Sequence, residues 1–280
     1  QPVTVEQLGI APTMYVLAER ERPRLSGLEE RIYDMCVETL HLCMHEHYED
    51  CPWREQALYA MDSRNQMLCG YYAFGEYRFP RASLELMSKD RREYGLLSIC
   101  CPIQMDFVIP SFSLHYITEC REYLDYSGDE GFLREIYPKL VSVVEAFTGR
   151  MEEGHSMEEG LVLPFAGRKR YWNFYEWREG LDGSETDASV PDVLLNSLLS
   201  LALQHLAAIG EKLGMEEGHS MEEGHPTGTG YREQARRLNQ RIFETFWDEE
   251  AGLCHDLATG GAASQLGNAL AILCGAVEGE

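Results

Sequence analysis

The chain has 280 residues, a formal net charge of −23 and 44% hydrophobic residues. This length can bury a sizeable core in one large domain or two small ones. The acidic balance argues against nucleic acid or an anionic membrane as a partner, even when eight glutamates in a duplicated segment are set aside. A neutral carbohydrate is compatible with this negative net charge. No run reaches about 18 apolar residues, so we expect no transmembrane helix.

Residues 1–25 contain three prolines and a charged ERERPR run, which predicts an extended lead-in or the tail of a preceding domain. We expect residues 26–280 to form the main domain. Its nine cysteines lie in apolar segments such as those around Cys36, Cys69 and Cys274, which favours buried thiols over a disulfide framework. No secretory signal is visible, and the sequence leaves the localisation and the oligomeric state open.

Apolar positions at helical spacing indicate helices along most of residues 26–280. The expected helices are 28–43, 62–77, 80–94, 110–126, 129–137, a separate helix from 138, 189–213, 231–247 and 264–274, with a loop at 96–109. A Ser26/Glu29 capping box starts the first. The strongest, 189–213, has Ser189 and Asp192 as a cap pair and Gly214 as terminator. No segment alternates strictly, so the sequence predicts an all-α fold, typical of a barrel of helical hairpins.

The segment from Asp50 to Asp62, DCPWREQALYAMD, concentrates charged and aromatic side chains. Pro52 suits the first turn of a helix, and Asp50 suits its cap. On such a helix Glu55, Tyr59 and Asp62 share one face. Two carboxyls and a ring in one cleft are typical of sugar-cleaving sites, where a carboxylic acid protonates the leaving oxygen. A solvated polar helix start is the alternative, and the spacing alone does not decide between them.

This segment resembles the signature of the α-L-rhamnosidases of glycoside hydrolase family 78, D-C-P-x-R-E-x-x-x-W-x-x-D. The six matching positions are Asp50, Cys51, Pro52, Arg54, Glu55 and Asp62. Tyr59 stands where the family usually has Trp, which keeps an aromatic platform of a different size. By this resemblance Glu55 is the general acid, and the sugar is bound by Asp50, Arg54, Tyr59 and Asp62.

The resemblance implies an (α/α)6 barrel, incomplete at its C-terminus, that removes terminal α-L-rhamnosyl residues by inversion without a metal or organic cofactor. An inverting enzyme also needs a catalytic base. The family supplies it from a G-x-T-x-x-W-E-like segment, which this sequence lacks; Glu176 and Glu179 are the aromatic-flanked substitutes. We therefore expect the 280 residues alone to be inactive or nearly so, with apolar helix faces left open.

A second segment, Tyr171 to Gly180, reads YWNFYEWREG. Its rings suit either a sugar-binding wall or a loop that plugs one end of the barrel. The resemblance favours the wall, because the family carries a similar W-x-F-x-D-W segment near the substrate. It assigns Trp172, Glu176 and Trp177 to substrate binding, with Glu176 in place of the Asp. Three aromatic side chains would shield the site and pack on the deoxysugar: Trp53, Tyr59 and Trp177.

Other functions stay open at this stage: a hydrolase or lyase for another sugar, or a carbohydrate binder without catalysis. A zinc protein is a weaker alternative, because the possible ligands His41, Cys43, His45, His47 and Cys51 match none of the paired zinc spacings. Two copies of MEEGHSMEEG, at 151–160 and 215–225, predict surface loops without function. We expect that deleting both shifts the melting temperature by only a few degrees.

Overall fold

The computed structural model describes residues 4, 6–11, 13–17, 20–90, 95–152, 160–167, 169–215 and 228–278. Most of both MEEGHSMEEG copies lies outside these residues. The helices in the described residues are α1 (Leu28–Leu42), α2 (Ala60–Ala73), α3 (Arg78–Ser88), α4 (Pro110–Ser127), α5 (Glu130–Glu152), α6 (Val193–Lys212), α7 (Gly228–Phe246) and α8 (Gln265–Leu273). Strand β1 (Trp247–Asp248) pairs antiparallel with β2 (Leu253–Cys254). Residues 96–109 contain neither helix nor strand, as predicted.

Helix α6 lies at the centre of the fold. Fourteen of its 20 residues are buried, and it packs against α4, α5, α7 and α8. A helix surrounded in this way is apolar on all sides rather than along one stripe. By length and composition α6 is also the one described helix that could cross a membrane; its burial among four other helices accounts for that composition.

The start of α6 differs from the prediction. Asp192 is the N-cap, and its side chain accepts a hydrogen bond from the Leu195 amide at 2.7 Å. Ser189 takes no part in the cap, because its hydroxyl donates instead to the Asp187 carboxylate at 2.6 Å. The helix therefore begins at Val193 rather than at Ser189, while Asp192 caps as expected.

Other helix boundaries also differ from the prediction: α2 spans Ala60–Ala73 rather than 62–77, and α3 spans Arg78–Ser88 rather than 80–94. Pro138 lies inside a continuous α5 rather than starting a new helix. Proline removes one helical hydrogen bond, but the buried residues that follow it, such as Leu140 and Val144, hold the helix in the core. At α1 the N-cap is Gly27, with φ 58° and no side-chain cap, so the Ser26 capping box does not form.

Helix α1 is buried far less than its sequence pattern predicts. Leu40 is its one buried residue, whereas Leu28 and Ile32 are 68% and 53% exposed. Cys36 is exposed as well, and so is Cys69 on α2, so burial of these two thiols was predicted wrongly; Cys274 is buried as expected. An apolar stripe predicts a helix from local spacing, but whether it is covered depends on a neighbouring element.

The lead-in has neither helix nor strand among its described residues. It runs against the helical body at Tyr15, whose amide donates to the Met44 carbonyl at 2.9 Å. The Tyr15 ring lies 4.6 Å from that of Phe79 on α3. Between the lead-in and α1 lies a cavity of about 610 Å³ that contains none of the predicted site residues.

Candidate active site

A cavity of about 410 Å³ brings the two sequence segments together. All eight residues assigned to the site from sequence line it: Asp50, Arg54, Glu55, Tyr59, Asp62, Trp172, Glu176 and Trp177. The acid wall is Asp50, Glu55 and Asp62, and the aromatic wall is Trp172, Phe174 and Trp177.

The first part of the acid wall is a turn rather than the predicted helix. Asp50 does not cap a helix; its carboxylate accepts a hydrogen bond from the Ala57 amide at 2.9 Å, and its own amide donates to the Ala57 carbonyl at 3.0 Å. Gln56 closes this turn with φ 51°, a left-handed conformation that ends any helical path. Helix α2 starts only at Ala60. The turn still directs Glu55 into the cavity.

Glu55 accepts hydrogen bonds at both carboxylate oxygens. The Tyr59 hydroxyl donates to Oε2 at 2.9 Å, and Arg54 Nη2 donates to Oε1 at 3.1 Å. Burial and the bond to Glu55 raise the pKa of Tyr59, so the phenol keeps its proton. Arg54 lies at the open side of the cavity, where its side chain is 83% exposed and that of Glu55 is 39% exposed. Glu55 is thus fixed in place and reachable from solvent.

Asp62 occupies the first turn of α2, deeper in the cavity than Arg54. Burial, together with the negative charges of Asp50 and Glu55, raises the pKa of Asp62 to about 6. Three carboxyls that share one cavity repel each other when all are ionised, so one of them holds a proton more tightly than usual.

The aromatic wall is attached to the chain segment that precedes α4. The Val108 amide donates to the Arg170 carbonyl at 2.8 Å, and the Trp172 amide donates to the Val108 carbonyl at 2.9 Å. Ser111 donates its hydroxyl proton to the Phe174 carbonyl at 2.6 Å. These contacts explain why the segment forms a wall of the cavity and does not plug it.

The rings of the aromatic wall also hold each other. Phe174 lies 4.9 Å from both Trp172 and Trp177, and the two indoles are 5.7 Å apart. The Trp172 indole N–H donates to the Asp182 carbonyl at 2.7 Å. Such edge-on contacts stabilise ring orientation beyond simple burial. The wall is therefore ordered before any ligand binds.

Tyr175 connects the aromatic segment to the core. Its hydroxyl donates to both carboxylate oxygens of Asp192, at 3.0 and 2.9 Å, and Asp192 is also the N-cap of α6. Burial raises the pKa of Asp192 to about 6, although its hydrogen bonds from Leu195 and Tyr175 act in the opposite direction. One buried carboxylate therefore fixes both a helix start and a loop that lines the site.

Sequence reasoning missed several residues that line the cavity: Met61, Asn65, Ile109, Phe112, Phe174 and Tyr175. Asn65 could have been found, because it follows Asp62 by three residues on the same helix face. Ile109 and Phe112 reach the site only through the packing of α4. Trp53 does not line the cavity and is 89% exposed.

The histidines near the motif have separate partners. His41 Nε2 lies 2.7 Å from the Tyr15 carbonyl, and His45 Nδ1 lies 2.9 Å from Glu49 Oε1. His47 Nδ1 lies 2.7 Å from the Tyr48 carbonyl oxygen. Within the described ranges no group of three or more potential metal ligands comes together. These histidines stabilise the approach to the motif.

Comparisons with known proteins identify the family and the fold of this chain. Residues 27–280 match the bacterial alpha-L-rhamnosidase 6 hairpin glycosidase domain. The chain is similar to the GH78 family rhamnosidase of Bacillus sp. GL1, with 27% identity and a TM-score of 0.80 over 95% of this chain and 26% of that chain. It also resembles a rhamnosidase from Klebsiella oxytoca solved with rhamnose bound (22% identity, TM-score 0.72, 94% of this chain and 46% of that one).

A more distant likeness is to the GH63 mannosylglycerate hydrolase of Thermus thermophilus (16% identity, TM-score 0.62, 88% of this chain and 72% of that one). No curated protein matches the chain. The chain spans 26% and 46% of the two rhamnosidase chains. The family match and the mostly helical structure confirm the predicted all-α fold of the (α/α)6 type. The chain belongs to the bacterial α-L-rhamnosidase six-hairpin glycosidase family.

Proposed function

We propose that this chain carries the sugar-binding site and the general acid of a glycoside hydrolase that removes terminal α-L-rhamnosyl residues by inversion. The observation that carries the proposal is the acid wall and the aromatic wall facing one cavity of about 410 Å³. This volume lies near the small end of the range for ligand pockets, about 300 to 1,000 Å³, and suits one sugar ring rather than a chain.

Glu55 is the proposed general acid. A protonated Glu55 has to release one of its two donors, Arg54 or Tyr59, and donate to the glycosidic oxygen instead. The Tyr59 hydroxyl then accepts a hydrogen bond or rotates away from Glu55, because a phenol both donates and accepts hydrogen bonds. Because Glu55 is partly exposed, we expect the broken bond at the mouth of the cavity and the terminal sugar inside.

Asp50 and Asp62 are the proposed partners of the sugar hydroxyls, together with Arg54 and the amide of Asn65. The 6-deoxy ring also presents a methyl group and an apolar face. Ile109 and Phe112 are buried residues of the cavity and offer apolar surface to that methyl group. A site that combines acceptors with apolar surface favours a deoxysugar over a fully hydroxylated hexose.

Inversion requires a second carboxylate about 6.5 to 9.5 Å from the acid, on the opposite side of the sugar. Among the described residues Glu176 is the carboxylate that lines the cavity next to the aromatic wall, whereas Glu179 does not line it. Glu176→Gln separates two cases. A loss of turnover as large as that of Glu55→Gln makes Glu176 the base; a weaker affinity with unchanged turnover makes it a ligand of the sugar.

The test is an assay on a panel of nitrophenyl glycosides together with a titration with rhamnose. The 280 residues alone should bind rhamnose with little or no turnover. In a form of the protein that also supplies the catalytic base, we expect cleavage of the α-L-rhamnoside and release of the β-anomer first, seen by proton NMR. Cleavage of other glycosides but never of the rhamnoside would refute the substrate. Release of the α-anomer first refutes inversion, and binding of rhamnose without turnover in every form of the protein identifies a carbohydrate binder.

A further inference from the structure

Two tryptophans lie exposed at the same end of the structure as Arg54. Trp177, on the cavity rim, is 80% exposed, yet its ring is held by Phe174 and Trp172. Trp53 immediately precedes Arg54 and is 89% exposed. Contiguous exposed apolar surface marks ligand-binding grooves as well as protein interfaces, and the Trp177 ring is continuous with Phe174 and Trp172 of the cavity lining. Neither ring is explained by the terminal sugar, which the buried part of the cavity accommodates.

The position of Glu55 fixes the direction of the rest of the substrate. This step rests on the proposed function, in which Glu55 protonates the glycosidic oxygen and so lies within hydrogen-bond reach of it. The cavity floor, with Ile109 and Phe112, is buried and leaves the leaving group no path inwards. The leaving group must therefore extend outwards past Glu55, on the exposed side where Arg54 and Trp177 lie.

We propose that Trp177 and Trp53 form a leaving-group subsite that accepts a ring with an apolar face. An indole presents a flat, electron-rich surface that packs on the C–H face of a pyranose or on an aromatic ring. Trp177 is the principal platform because its neighbours already orient it, which lowers the entropy lost on binding. Trp53 is the second ring proposed for the subsite, because it immediately precedes Arg54 on the turn that carries Glu55 and is exposed.

This assignment changes the role that sequence gave to both residues. Sequence reasoning placed Trp53 and Trp177 on the terminal deoxysugar. In the structure Trp53 does not line the cavity, and Trp177 lines it while remaining 80% exposed. The terminal sugar retains Tyr59, Phe112, Trp172 and the acid wall. The two exposed rings then select what the sugar is attached to.

Hydrolysis-resistant thioglycosides test the subsite by calorimetry on the full chain. The ligands are rhamnose, methyl 1-thio-α-L-rhamnoside, phenyl 1-thio-α-L-rhamnoside and an S-linked rhamnosyl-glucose. We expect the wild type to bind one or both of the last two about 2- to 10-fold more tightly than the methyl compound. Tighter binding of the phenyl compound alone indicates an aryl leaving group. Tighter binding of the disaccharide alone indicates a sugar as the leaving group.

Trp177→Ala should abolish this gain, which is the ratio of the phenyl or disaccharide affinity to the methyl affinity, and Trp53→Ala should reduce it while rhamnose keeps its affinity within about twofold. Trp177→Phe should restore part of the gain. Tyr72→Ala is the matched control, because Tyr72 is an exposed ring on α2 that does not line the cavity. Since Trp177 is largely exposed, we expect its variants to melt close to the wild type.

Two results overturn the subsite. One is an unchanged gain in Trp177→Ala and Trp53→Ala. The other is an equal loss for the methyl and phenyl compounds, which would place Trp177 on the terminal sugar. In both cases rhamnose binds the wild type and the proposed function stands. If rhamnose itself fails to bind the wild type, the proposed function fails, and the subsite falls with it.

Discussion

The two walls of the cavity are held in different ways. The acid wall is built from contacts within a short stretch of chain, such as Asp50 with Ala57 and Tyr59 with Glu55. The aromatic wall depends on partners far away in sequence: Val108, Ser111 and Asp192. The acid wall can therefore be recognised as a sequence motif, whereas the position of the aromatic wall is defined only when the chain is folded.

Mutations in the acid wall and mutations in the supports of the aromatic wall should therefore have different effects. A change in the acid wall alters charges and protons at the site but removes few packing contacts, because Glu55 and Arg54 are partly exposed. A change in the supports of the aromatic wall removes buried hydrogen bonds and therefore costs stability.

Glu55→Gln should have the largest effect, and it should fall on chemistry alone. A glutamine retains the shape but cannot supply the proton, so we expect turnover to fall about 10²- to 10⁴-fold, or about 3 to 5.5 kcal/mol in the barrier. The loss should shrink for leaving groups that need no protonation. Glu179→Gln, in an exposed position outside the cavity lining, is the control. Near-normal turnover of a natural glycoside by Glu55→Gln would show that another carboxyl is the acid.

Asp192→Ala should act mainly on stability. It removes the α6 cap and leaves the Tyr175 hydroxyl without its acceptor. We expect a loss of about 2 to 3 kcal/mol in the free energy of unfolding at pH 7, measured by urea denaturation. Asp192→Asn keeps an oxygen acceptor and should lose less than half as much. Equal losses in both variants would mean that the charge, not the hydrogen bonds, matters at this position.

Asp62→Asn should change how stability depends on pH. The folded pKa of Asp62, about 6, lies above the ordinary 3.8. The folded state therefore binds this proton more tightly, and the contribution of Asp62 to stability is lost as pH rises from about 4 through 6. The variant removes this loss, so its stability relative to the wild type should rise by on the order of 1 to 2 kcal/mol over that range, after allowance for solvent screening. Parallel stability curves from pH 4.5 to 7.5 would contradict the raised pKa.

Tyr59→Phe should have the smallest effect. It removes one hydrogen bond to Glu55 Oε2 but keeps the ring against Phe112. We expect turnover to fall by less than about tenfold, equivalent to about 0.5 to 1.5 kcal/mol, with little change in melting temperature. Tyr72→Phe, which removes a hydroxyl contact at an exposed position, should leave turnover unchanged. A loss as large as that of Glu55→Gln would assign Tyr59 a direct part in proton transfer.

Much of the site could be predicted because it is local. The acid motif and the aromatic segment each lie within a short run, and residue type alone indicates carboxylate and ring chemistry. The helix from Asp62 onwards and the Gly214 terminator also followed from spacing, since Gly214 takes φ 66° after α6. The predicted helix cap at Asp50 was wrong because short-range hydrogen bonds compete with one another. Asp50 closes a turn with Ala57 instead of capping a helix.

The remaining features depended on contacts between distant residues. Helices α1 and α6 show this most clearly, because both carry apolar residues at helical spacing. One is largely exposed, and the other is buried among four helices. Similarly, Ile109, Phe112 and Asp192 carry no local signal for a site. Local sequence specifies where the helices run and which residues bring acid and aromatic chemistry. Which helix faces are covered and which side chains meet is specified only by the tertiary structure, because burial and hydrogen bonding depend on neighbours that folding supplies.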